Sequence, residues 1–86
     1  MPRVTGAAAT SEVKADANRR LDLYILPITG QCAYITIHQI GHLLGTGPQQ
    51  ARKMLAKWGM PPSTTGRYDS IMFAETWARA ARGLSV

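Results

Sequence analysis

Cysteine occurs once, at Cys32, in a chain of 86 residues, so an internal disulfide is excluded and stability has to come from packing or from a partner. A reducing compartment is expected. Acidic side chains are also scarce, five against ten Lys and Arg. That leaves little for general acid-base work, and there is no Ser/His/Asp or Cys/His grouping, paired-carboxylate grouping or Gly-rich phosphate loop. The reading is of no enzyme and no cofactor. Long apolar runs are missing too: the longest, Leu23 to Leu26, resumes at Ile28 only after Pro27, and the first twenty residues hold no apolar h-region. Such a chain is expected to be cytoplasmic and to enter no membrane.

What is present is enough for one small domain. Apolar residues make up 45% of the chain and charged ones 17%, a balance that can bury one modest core and excludes a wholly disordered chain. The net charge of +5 points toward polyanions. It is unevenly spread. Residues 36–86 hold six basic and two acidic side chains, a balance of +4, whereas residues 1–35 hold four and three, a balance of +1.

Residues 1–20 carry only Met1, Val4 and Val13 as large apolar residues, too few to pack alone, and read as a mobile arm. In residues 21–35, β-branched and aromatic side chains around the helix-breaking Pro27 and a Thr29-Gly30 turn read as an extended strap or hairpin. Thr36 and Gln39 form a capping box, with Ile35 stapled to Ile40, and open a short helix whose apolar face holds Ile37, Ile40, Leu43 and Leu44. Gly45 stops it. After the Thr46-Gly47 turn, Pro48 begins a second helix at the position proline tolerates best.

Along this second helix, 48–58, Ala51, Met54, Leu55 and Trp58 recur at i, i+3, i+4 and i+7, opposite Gln49, Gln50, Arg52, Lys53, Ala56 and Lys57. Gly59 and Met60-Pro61-Pro62 force an extended exit. Ser63 to Gly66 reads as a turn, and Arg67-Tyr68 as the return strand of a small hairpin spanning 61–68. Asp69 or Ser70 caps a last helix with Ile71, Ala74, Trp77, Ala78 and Ala81 on its apolar face, Arg79 and Arg82 near its end and Gly83 closing it. Trp58 and Trp77, at helical spacing on apolar faces, read as core. His38 and His42 imitate a zinc-protease HExxH, but Gln39 replaces the general base and no third ligand follows, so no metal is expected.

The string YITIHQIGHLLGTGPQQARKMLAKWGMPP, followed by GRYDSIMFAETWA, resembles the winged helix-turn-helix of the MerR-like and excisionase-like superfamily. That superfamily includes phage excisionases, AlpA-type regulators and the DNA-binding domain of lambda-type terminase small subunits. The resemblance implies a mainly α fold with a small β-hairpin wing over residues 36–83, and a recognition helix lying in the major groove of double-stranded DNA. On the residues themselves, Gln49, Gln50 and Lys53 are the candidates for base reading, since glutamine pairs with adenine and lysine reaches guanine acceptors. Arg52, Lys57 and Arg67, with Thr64 and Thr65 as neutral donors, are the candidates for the phosphate backbone. The implied role is that of a transcriptional regulator or recombination factor of phage or mobile-element type, associated with the nucleoid of a bacterial host. It would act as a homo-oligomer or cooperative assembly, with a recombinase, polymerase or packaging enzyme as further partner. Two alternatives stand beside it: a protein-interaction module presenting the same basic helix to an acidic protein, as a phage inhibitor or assembly factor would, and a DNA-packaging component like a terminase small subunit.

Overall fold

The computed structural model describes residues 6–83, a mainly helical chain with one small antiparallel sheet. Helix α1 (Gly6–Arg20) passes through a wide π-helical turn (Leu21–Ile25) into the short α2 (Leu26–Thr29). Strand β1 (Tyr34–Thr36) leads into α3 (Ile37–Leu44), followed by α4 (Pro48–Lys57), β2 (Arg67–Asp69) and α5 (Ser70–Ala81). Among the described residues, no helix is long and apolar enough to cross a membrane.

The first thirty residues depart most from expectation. Residues 1–5 of the expected arm lie outside the described residues. From Gly6 onward the arm is a helix packed along α5, and the 21–35 segment begins as helix rather than extended strap. Small side chains explain this: Val13 and Ala17 are buried, with Leu21 half-buried and Ile25 fully buried, a stripe repeating every four residues. On an ordinary α-helix such a stripe drifts about 40° per repeat, because four residues overshoot one turn. The wide turn resets it. There the Leu26 amide donates to the Leu21 carbonyl, five residues back, so the ladder has already slipped where Pro27 brings no donor.

Arg82, at the end of α5, holds α1 from the other side. Its guanidinium donates to Asp16 Oδ2 and, at 2.7 Å, to Glu12 Oε1. The hydrogen bond from Arg82, aided by its charge and those of Arg19 and Arg20, holds the Asp16 carboxyl below the usual aspartate value of 3.8. A carboxylate that is harder to protonate folded than unfolded stabilises fully above its unfolded pKa and loses that contribution as pH falls through its lower folded value. Wild-type protein should therefore melt higher than Asp16→Asn at pH 5 to 7, and the gap should close below pH ~3.8, as followed by circular dichroism. A gap that stays constant as pH falls below ~3.8 would contradict this role for the ion pair.

The middle of the chain folds as its spacing predicts. Thr36 Oγ1 accepts from the Gln39 amide at 3.2 Å and Gln39 Oε1 accepts from the Thr36 amide at 2.9 Å, closing the capping box, while Ile35 and Ile40 are both buried. Gln39 has a further task. Its Nε2 donates to the Ile28 carbonyl at 3.1 Å, tying α2 to the start of α3.

The hairpin over 61–68 does not form. Residues 61–66 are loop, and β2 pairs antiparallel with β1, Ile35 opposite the buried Tyr68. The ladder continues past both ends, with the Ile37 amide donating to the Gly66 carbonyl at 2.8 Å and the Ser70 amide to the Ala33 carbonyl at 3.0 Å. Burying Ile35 and Tyr68 together on one face favours this partner over a local one, because Pro61 and Pro62 lack the donors that a hairpin's outgoing strand needs. Asp69 rather than Ser70 caps α5, accepting from the Met72 amide at 2.8 Å, and Ser70 Oγ donates to the Ala33 carbonyl. The buried face of α5 keeps Ala74, Trp77 and Ala78 of the expected one and gains Phe73 in place of Ile71 and Ala81. Phe73, Ala74 and Ala78 are buried with Trp77 half-buried, whereas Ile71 and Ala81 are exposed. One core results, in which Ile25, Ile35, Ile40, Leu55 and Phe73 are the largest fully buried side chains.

Candidate functional site

Helix α4 owes its position to three glycines. Gly41, inside α3, has no room for a side chain: a Cβ there would lie 2.7 Å from the Thr46 carbonyl oxygen and 3.3 Å from the Gly47 carbonyl carbon. This close approach lets the Thr46 amide donate to the Gly41 carbonyl at 2.8 Å and folds the turn tightly onto α3. Gly45 ends α3 in the left-handed conformation at φ 73°, and Gly47, in extended conformation, serves as the N-cap of α4 before Pro48. Gly41→Ala should cost about 1–3 kcal/mol, because the methyl meets backbone that cannot rotate away. An unchanged urea midpoint would contradict this geometry. A glycine in the interior of a helical pattern is the signal that marks this contact, since it is otherwise unfavourable there.

From this start α4 runs with Ala51 and Leu55 buried against α3 and Met54 and Trp58 half-buried beside them. Gln49, Gln50, Arg52, Lys53, Ala56 and Lys57 are all exposed. The amino-terminal helix lies along α5 and leaves this face uncovered. Gly47 provides no side-chain cap, so the first-turn amides of α4 have no side-chain acceptor at the cap.

Beyond Gly59, at φ 86°, the buried Met60 anchors a loop whose Pro61, Pro62, Thr64 and Thr65 are exposed. Its hydroxyls are not equivalent. Ser63 Oγ donates to the Arg67 carbonyl at 2.8 Å, and Thr65 Oγ1 accepts from the Arg67 amide at 3.3 Å and shares a hydrogen bond with Ser63. Ser63 and Thr65 thus brace the loop, Thr64 stands free of these bonds, and Arg67 is exposed at the start of β2.

The electrostatics follow from this arrangement. Ion pairs among the described residues gather where α1 meets α5, at Glu12, Asp16, Arg19 and Arg82. Arg52, Lys53, Lys57 and Arg67 take part in none of them, and α4 contains no acidic residue. The positive charge of the second half is therefore left open to solvent on α4 and at the end of its following loop.

Other side chains singled out from the sequence are placed as follows. His38 and His42 are both exposed on α3, and no group of three metal-ligating side chains gathers among the described residues. Trp58 and Trp77 are half-buried and packed against the core. Trp77 stacks on Phe73 at 5.6 Å between ring centres, lies 5.7 Å from Tyr24 and carries the Arg20 guanidinium 4.6 Å above its ring. Comparison with protein-family models, with curated protein sequences and with solved structures gave no match, so the reading of this surface rests on its own geometry and charge.

Proposed function

We propose that the chain binds double-stranded DNA as a winged helix-turn-helix module of the MerR-like and excisionase-like kind. Helix α3, its tight turn and α4 form the helix-turn-helix, α4 enters the major groove, and the loop at 61–66 with Arg67 at its end takes the place of the wing. One observation carries this reading: the polar side of α4 is acid-free, exposed along its length and, among the described residues, uncovered by any other element. A ten-residue helix is about 15 Å long and about 10–12 Å across with its side chains, a width the major groove admits. Gln49, Gln50 and Lys53 then meet base edges, and Arg52, Lys57 and Arg67 meet phosphates. Thr64 adds a neutral donor, and Thr65 chiefly steadies Arg67.

A single module of this size makes few contacts, so the protein acts in pairs, in tandem or beside a partner enzyme, as a regulator or an architectural factor. Salt dependence is the test. If Arg52, Lys57 and Arg67 neutralise about three phosphates, log K for a duplex should fall against log salt with a slope near −2.7, from roughly −0.9 per contact. Fluorescence anisotropy with a labelled duplex measures it. Failure to bind duplex at low salt, with an acidic protein retained instead, would overturn the DNA reading.

A further inference from the structure

Within the exposed side of α4, three residues share one line. Taking about 100° per residue and setting the buried Ala51 at zero, Gln49 falls at about 160°, Lys53 at about 200° and Ala56 at about 140°. Cations flank this line on both sides, Arg52 at about 100° and Lys57 at about 240°, with Gln50 beside Lys57 at about 260°. A major groove has the same cross-section: base edges along its floor and a phosphate wall on each side. All six side chains are exposed.

We infer that Gln49, Lys53 and Ala56 read, in that order along α4, an adenine, a guanine and a thymine methyl. This inference rests on the DNA-binding reading and extends it to the sequence class of the site. Glutamine bonds adenine N6 and N7 bidentately, lysine reaches guanine O6 and N7, and an alanine methyl packs on the C5-methyl of thymine. The spacing follows from the helix. Gln49 and Lys53 are about 6 Å apart along the axis, and Lys53 and Ala56 about 4.5 Å. Against about 3.4 Å per base pair, this puts the G·C pair about two steps from the A·T pair that Gln49 reads, and the thymine about one step further. Gln50 lies on the flank beside Lys57, so within this inference it leaves the base-reading set of Gln49, Gln50 and Lys53 and meets the backbone instead.

Selection from a randomised duplex pool tests the order, using the full chain and the variants Gln49→Ala and Lys53→Ala. Both positions are exposed, so circular dichroism should match wild type. The expected wild-type motif is about four base pairs long, with A·T, G·C and thymine in that order. Gln49→Ala should lose preference at the A·T position alone and keep the salt slope. Lys53→Ala should lose preference at the G·C position and, because Lys53 meets a base and not a phosphate, leave the slope nearly unchanged. Replacing the selected thymine with deoxyuridine removes one methyl group and should weaken wild-type binding about fourfold.

Binding that keeps its salt slope but enriches no motif, or a motif that neither variant relaxes, overturns this inference while DNA binding stands. Retention of no duplex at all overturns both.

Discussion

Phe73→Ala should lose about 3–5 kcal/mol of folding stability, the range for truncating a buried aromatic side chain. Phe73 is 0% exposed and belongs to the core cluster with Ile25, Ile35, Ile40 and Leu55, so it holds the amino-terminal helix and the α3–α4 pair to the same helix. It is also the face on which Trp77 stacks. A domain of this length has a total stability of only about 4–13 kcal/mol at 0.05–0.15 kcal/mol per residue, so the loss removes at least about a quarter of it. Urea denaturation followed by circular dichroism measures the loss. Ile71→Ala, two residues earlier on the same helix but 56% exposed, should change stability by no more than about 0.5 kcal/mol. Equal losses at the two positions would mean that α5 is rotated from the orientation described.

Replacing Arg52, Lys53, Lys57 and Arg67 together by glutamine should weaken duplex binding about a thousandfold at 0.15 M salt. The figure follows from three phosphate contacts, each releasing about 0.9 of a counterion into a solution of that concentration, about 170-fold together, and from the lost base contact of Lys53, worth about 1 kcal/mol or about fivefold. The four cations are exposed and take no part in the ion pairs among the described residues. Their loss therefore leaves the fold unchanged, and the urea midpoint should stay within about 0.5 kcal/mol of wild type. Neutralising Lys14, Arg19 and Arg79, which are exposed on α1 and α5, removes nearly as much charge from other surfaces. If that triple variant lost as much affinity as the quadruple one, binding would depend on net charge and not on α4.

How far the chain could be read from its sequence depends on how local the determining interactions are. The capping box at Thr36 and Gln39, the left-handed Gly45 and the proline-led start of α4 all act within four residues, and each lies where its spacing predicts. The exposed side of α4 was legible for the same reason, since a stripe of Ala51, Met54, Leu55 and Trp58 leaves only one side for Gln49, Lys53 and their neighbours.

The misreadings concern contacts between distant residues. Val13 and Ala17 are too small to mark an apolar stripe on their own, and only the α5 surface beneath them makes α1 a packed helix. Pro27 usually ends a helix, and it is accommodated here because the wide turn has already shifted the hydrogen-bond ladder. Arg67 and Tyr68 read as strand, but their partners are Thr36 and Ile35, more than thirty residues earlier, and nothing in the 61–68 segment itself indicates that pairing. The same pairing sets the rotation of α5 and brings Phe73 inward in place of Ile71.

Duplex DNA should meet α4 and the loop that follows it and no other surface. Titrating a duplex into uniformly ¹⁵N-labelled protein reports this residue by residue. Amide shifts concentrated at Gln49 to Lys57 and in the 61–67 loop, with the amides of Val13 to Ala17 unmoved, are the expected result. Shifts centred on α1 and the outer face of α5, or none at a duplex concentration that saturates binding at low salt, would contradict it.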